Sequence, residues 1–187
     1  MQYFVTGATG FIGKRLVKKL LERKGAVVHF LIRQESEAKV ADLRQYWGVS
    51  AARVLPVFGD LTSKKLGVAA HSIKKLKGQI DHFYHLAAVY DLGADEASQI
   101  AVNIEGTRNT VELAKAIEAG HFHHVSSIAA AGLYEGVFRE DMFDQAENYE
   151  HPYFMTKHES EKIVRQECRV PWSVYRPAMV VGDSRSG

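Results

Sequence analysis

Cysteine is almost missing from this chain. Cys168 is the only one, so no intrachain disulfide can form, and this usage suits a reducing compartment. No apolar run approaches the roughly 20 residues that carry a helix across a bilayer, so no integral membrane segment is expected. An excess of one charge is missing too. Lys and Arg number 24 against 22 Asp and Glu, a formal +2, which gives no bulk attraction for nucleic acid or an anionic membrane. The opening MQYFVTGATG runs straight into a strand-like stretch and lacks the layout of a secretory leader. Repeats and low-complexity tracts are absent. The expectation is a soluble, cytoplasmic domain. Its 187 residues suffice for one hydrophobic core and are too few for two comfortable ones.

Short apolar runs alternate with longer amphipathic ones. Strands are predicted at Gln2–Thr6, Val27–Ile32, Val54–Phe58, His82–Leu86, Phe122–Ser126 and Ser173–Tyr175. Helices are predicted at Phe11–Arg23, Glu35–Trp47, Ala70–Lys77, Glu96–Glu118 and Pro152–Cys168. Such alternation indicates parallel strands joined by helical crossovers. A continuously apolar strand such as VVHFLI suits a sheet covered on both faces. The predicted fold is a doubly wound α/β sheet, a Rossmann fold. The acidic stretch Leu133–His151 reads either as a functional loop or as a solvated connection.

TGATGFIG follows the first strand and opens the first helix. Its glycines, Gly7, Gly10 and Gly13, are spaced G-x-x-G-x-x-G. They meet three demands: a tight turn, close backbone approach to a pyrophosphate, and close packing of helix on strand. Lys14 and Arg15 then occupy the first helical turn, where the macrodipole disfavours basic side chains. A bound anion would offset that conflict; two surface residues extending to solvent are the alternative. At the end of the second strand, LIRQES puts Arg33 where an NAD site carries an acid for the ribose. A guanidinium suits a 2′-phosphate, so NADP(H) is the expected cofactor. The competing arrangement leaves Arg33 exposed and gives the ribose to Glu35.

Seven motifs now fall in order: TGATGFIG, GDL (Gly59–Leu61), HLAA (His85–Ala88), NIEGTRN (Asn103–Asn109), VSS (Val125–Ser127), YFMTK (Tyr153–Lys157) and YRP (Tyr175–Pro177). Together they resemble the extended short-chain dehydrogenase/reductases. Longer stretches, HLAAVYDLGADE, HHVSSIAAAGLYEGVFREDMFD and HPYFMTKHESEK, resemble bacterial alcohol-forming fatty acyl-CoA reductases. That resemblance implies NADPH-dependent reduction of a long-chain acyl-CoA, or of the aldehyde, to a fatty alcohol. It implies cofactor contacts from Gly7, Thr9, Gly10, Phe11, Ile12, Gly13, Arg33, Asp60, Leu61, Ala87, Tyr153, Lys157 and Pro177. Members of the family continue beyond YRP into a substrate-binding part. Residues 1–187 therefore look like the NADP-binding portion of a longer reductase. A homo-oligomer is left open.

The resemblance gives the Tyr153–Lys157 pair its chemistry. Residues four apart share a helix face, and Ser127, at the end of a parallel strand, lies 26 residues before Tyr153. A free phenol has a pKa of about 10, and a nearby ammonium lowers it. Tyr153 would protonate the developing alkoxide while Ser127 donates to the same oxygen. Ser126 is the rival serine; the spacing to Gly132 favours Ser127. The family assigns Asn103 to a proton relay through water, and a helix-packing amide is the alternative. His121, His123 and His124 lack acidic partners at helical spacing, so no metal site is expected. Two other functions compete: a nucleotide-sugar epimerase or dehydratase, and an NADP-sensing regulator without catalysis.

Overall fold

The structure is a computed structural model that describes residues 1–89 and 95–182. Six parallel strands form one sheet: β1 (Gln2–Thr6), β2 (Val27–Ile32), β3 (Val54–Phe58), β4 (His82–His85), β5 (His121–Val125) and β6 (Trp172–Tyr175). Their order is β3-β2-β1-β4-β5-β6. Connections leave in opposite directions from β1, so a crevice opens between the carboxyl ends of β1 and β4, where such sheets bind ligands.

Alternation along each strand supplies two cores. Tyr3, Val5, Val28 and Phe30 face α1 (Phe11–Leu21) and α2 (Lys39–Trp47), through Val17, Leu20 and Trp47. Phe4, Phe83 and Phe122 face the other way, against α3 (Ala70–Leu76), α5 (Gly106–Ala116) and α6 (Pro152–Glu167). Their rings form a ladder, with centroids 4.5 Å apart from Phe4 to Phe83 and 5.5 Å from Phe83 to Phe122. Helices on both faces explain why β2 is apolar at every position but His29, whose ring is bonded to Gln2 Oε1 at 2.9 Å.

Most element boundaries shift by a residue or two from those predicted. The helix expected from Glu35 begins four residues later, at Lys39, after a 3-10 turn at Gln34–Ser36. One further difference is of kind. The helix expected over Glu96–Glu118 is divided into α4 (Glu96–Gln99), a π-helical stretch Ile100–Glu105, and α5. Asp95 caps its start, accepting from Ser98 N at 2.8 Å. The widened turns carry Asn103, and π-bulges concentrate at functional sites. Residues 90–94, inside the HLAAVYDLGADE stretch, lie outside the described residues.

The segment after β5 is folded back rather than loose. Leu133 N donates to Glu147 O at 2.8 Å, and Glu147 N to Ala131 O at 3.2 Å. His158 of α6 is stacked between Phe143 and Tyr149, each centroid 4.4 Å away, and its Nδ1 bonds Ala130 O at 2.9 Å. The acidic stretch is therefore anchored to the helix that carries Tyr153.

The glycine loop is as tight as its spacing predicted. Gly7 has φ +73°, and a Cβ there would lie 2.7 Å from Ala87 N. A Cβ on Gly13 would lie 2.0 Å from Gly7 O. Gly7→Ala should therefore cost about 1–3 kcal/mol of stability through strained backbone alone. Chemical denaturation of the two proteins checks this, and an unchanged midpoint would contradict it.

Candidate active site

Four strand ends converge on one cavity of about 570 Å³. Gly7, Gly10 and Gly13 with Phe11 and Ile12 form one wall, following β1. Leu86 and Ala88 follow β4, Val125–Ala129 follow β5, and Pro177–Val180 follow β6. Tyr153 and Lys157 of α6 complete it. Gly10 caps α1 without a side-chain bond, and the first turn holds no acid. The amide donors of that turn thus lie on the cavity wall beside a glycine cradle, an arrangement that fits a dinucleotide's pyrophosphate. Of the two basic residues there, Arg15 lies 3.8 Å over the Phe11 ring and Lys14 is 5.9 Å from the Tyr46 ring.

Lys157 is 4% exposed, and its Nζ donates to Val125 O at 3.0 Å. Burial pulls its pKa down to about 8, against the opposing charge of Glu161. Tyr153, 8% exposed, stands one turn earlier on the same face. The two serines are told apart by their hydrogen bonds. Ser126 Oγ donates to Glu161 Oε2 at 2.8 Å, so its proton is committed. Ser127 Oγ accepts from Ala129 N at 3.1 Å and keeps its proton to donate into the cavity.

Behind this wall runs a buried polar chain with a defined direction. Thr107 Oγ1 donates to Asn103 O at 2.6 Å, so it accepts from His85 Nε2 at 3.0 Å. His85 Nδ1 is then the acceptor for Thr6 Oγ1 at 2.7 Å, and Thr6 Oγ1 accepts from Ala87 N at 3.3 Å. His85 is neutral in this arrangement, and burial, with Lys157 adding to it, lowers its pKa to about 3. Asn103 spends its side chain as a clamp. Oδ1 accepts from Val89 N at 2.8 Å, and Nδ2 donates to Val89 O at 3.2 Å and Thr156 Oγ1 at 3.1 Å. It ties the β4 exit to α6 and does not line the cavity.

Arg33 and Asp60 line a second, smaller cavity of about 330 Å³ with Glu35, Ser63 and Gly67. Arg33 Nε is paired with Glu35 Oε1 at 3.1 Å on the exposed rim. Bonds from the Thr62 hydroxyl and amide hold Asp60 below the usual carboxylate range. Three expected contacts fall outside both cavities. Thr9 is exposed in the glycine loop. Leu61 packs on the core beside Gly106, with its carbonyl accepting from Asn109 Nδ2 at 2.9 Å. Ala87 backs Gly7 from behind.

The pattern of the Male sterility protein family matches residues 5–187. The chain belongs to that family. Within the Male sterility family it has the extended short-chain dehydrogenase/reductase fold, the domain type of NAD(P)-dependent oxidoreductases. It is 31% identical over 198 residues to a linear gramicidin synthase component of Brevibacillus parabrevis, covering 98% of this chain and 4% of that one. It is 25% identical to the candidate fatty acyl-CoA reductase CG8303 of Drosophila melanogaster, over 96% of this chain and 41% of that one. Among solved structures, it resembles the terminal R domain of the myxalamid PKS-NRPS pathway, with TM-score 0.84, 27% identity and coverage of 98% and 50%. It also resembles UDP-glucuronic acid 4-epimerase of Bacillus cereus bound to NAD, with TM-score 0.75, 26% identity and coverage of 97% and 58%. The chain thus spans about half of those solved chains and less of the curated relatives.

Sequence reasoning missed the apolar rim of this family member's cavity and the partners of Glu161. Ile128, Met179 and Val180 are exposed on the cavity wall. The available signal was the apolar run AMVV directly after YRP, which continues the covering segment past Pro177.

Proposed function

We propose that residues 1–187 are the NADP-binding portion of a longer cytoplasmic reductase, which converts a long-chain acyl-CoA or its aldehyde to a fatty alcohol. The convergence of Ser127, Tyr153 and Lys157 on a cavity with otherwise mostly apolar walls carries this reading. The resemblance to a fatty acyl-CoA reductase candidate supports the substrate class. So do Ile128, Met179 and Val180, which are exposed on the wall away from the glycine loop and would cover hydrocarbon.

A nicotinamide dinucleotide, when bound, supplies the hydride. The chain's own residues handle the oxygen. Ser127 donates its uncommitted proton to the carbonyl oxygen, and Tyr153 delivers a proton as charge develops there. Lys157, cationic below about pH 8, favours the phenolate that Tyr153 leaves behind. Its ammonium would also hold the ribose hydroxyls of a bound dinucleotide. Gly7, Gly10 and Gly13 admit the pyrophosphate to the amides of α1.

Tyr153→Phe removes one hydroxyl and keeps the ring's packing. Folding and NADPH affinity should survive, and single-turnover hydride transfer in the complete enzyme should fall by about 10²–10⁴-fold. Transfer at the unmutated rate would sink the proton-donor assignment.

A second reading, NAD-dependent sugar chemistry, draws on the epimerase likeness and on the pairing of Arg33 with Glu35. Arg33 at the second cavity favours a 2′-phosphate, so NADPH should bind more tightly than NADH. Arg33→Asp should narrow or reverse the preference. Fluorescence titration of both cofactors decides, and equal affinities in the unmutated chain would reject NADPH selectivity.

A further inference from the structure

Glu161 takes no part in the chemistry above, yet it is fully buried, at 0% exposure. Its oxygens are saturated. Oε1 accepts from Arg176 Nη2 at 2.6 Å and from Arg165 Nε at 2.9 Å. Oε2 accepts from Ser126 Oγ at 2.8 Å and from Arg176 Nε at 3.1 Å. Arg176 therefore grips the carboxylate with two nitrogens, the geometry that fixes direction as well as charge. Its Nη2 also donates to Met142 O at 2.8 Å, and its guanidinium lies 5.1 Å over the Phe138 ring. One carboxylate thus joins α6, the exit of β5, the exit of β6 and the folded-back segment after Gly132.

Two of its three partners adjoin cavity residues: Ser126 precedes Ser127, and Arg176 precedes Pro177. Lys157, itself on the cavity wall, lies one turn before Glu161 on α6. A buried ion pair is a poor way to gain stability, since apolar residues of the same volume serve as well or better. What this one supplies is fixed geometry beside reactive groups. Burial would raise the Glu161 pKa, but bonds from Arg176, Ser126 and Arg165 outweigh it and hold the carboxyl low.

We propose that Glu161 is a positioning residue: it locks the β5 exit and the Arg176–Val180 wall onto the helix that carries Tyr153 and Lys157. This rests on the reading of those two as the proton-delivering pair. The same carboxylate sets the charge around the ammonium. Lys157 faces Glu161 and Tyr153 on its own helix, His85 from β4 and His124 from β5. Burial, with the Lys157 charge adding to it, holds both histidines below their usual range, so they stay neutral. Glu161 is the anion that opposes burial at Lys157. Without it the ammonium should lose its proton at a lower pH.

The test uses the full chain with Glu161→Gln, and with Glu161→Gln/Arg176→Met, which leaves no guanidinium from Arg176 without its carboxylate. The Lys157 Cε signal is followed by NMR against pH in cofactor-free protein, and NADPH affinity is titrated alongside. The unmutated midpoint should be about 8. Both variants should titrate about one unit lower and bind NADPH several-fold more weakly, while melting cooperatively. A folded variant with midpoint and affinity both unchanged overturns the proposal. If neither accumulates folded, Arg176→Lys keeps both charges and loses the two-nitrogen grip, and unchanged NADPH affinity there overturns it equally. Full-rate transfer by Tyr153→Phe would refute the proton-donor reading, yet leave the titration and affinity to judge Glu161.

Discussion

An ammonium group held out of water is the constraint around which this site is arranged. Lys157 donates to the Val125 carbonyl, and that carbonyl belongs to the strand end from which Ser126 and Ser127 continue. Burial disfavours the charge, and Glu161 one turn away favours it. The outcome, a lysine whose pKa is pulled down from 10.5 to about 8, is a group poised to sense the charge of a phenol beside it. Moving α6 relative to β5 would disturb this balance, which explains why so many polar bonds join α6 to its surroundings. Asn103 through Thr156, His158 through Ala130, and Glu161 through Ser126 all hold that helix in place.

The fold was readable because its signals are local and repeated. Continuous apolar strands, separated by helices of 3.6-residue periodicity, leave little choice but a parallel sheet covered on both faces. Gly7 and Gly13 were readable because steric exclusion of a Cβ leaves a mark in sequence. Tyr153 and Lys157 were readable as a helix face, and Ser127 as a strand end. The clustered histidines show what alternation does: His121 and His123 join His82 on one face, while His124 stacks on His85 on the other.

What stayed hidden depends on contacts between distant elements or on backbone that departs from the regular. Nothing in NIEGTRN announces that its first asparagine sits in a π-helical turn and clamps Val89. Glu161 and Arg176 lie 15 residues apart on a helix and just past a strand, and no periodicity links them. Thr9, Leu61 and Ala87 occupy motif positions, yet they turn outward, into the core, or behind the loop. A motif fixes backbone course more firmly than it fixes which side chain meets the ligand.

Reductase and epimerase chemistries on this scaffold both need the glycine cradle and the tyrosine–lysine pair. They differ in the traffic of the hydride. A reductase passes it from the cofactor to the product for good, whereas an epimerase borrows it from the sugar and gives it back to the sugar, leaving the cofactor unchanged overall. The apolar rim beside the polar floor favours the first. NADPH carrying deuterium at both C4 positions follows that traffic, whichever face is used, in the complete enzyme incubated with a long-chain aldehyde. The account predicts one deuterium on the carbinol carbon of the fatty alcohol, with stoichiometric loss from the cofactor. An unlabelled alcohol, or no alcohol while the label stays on the cofactor, would contradict it.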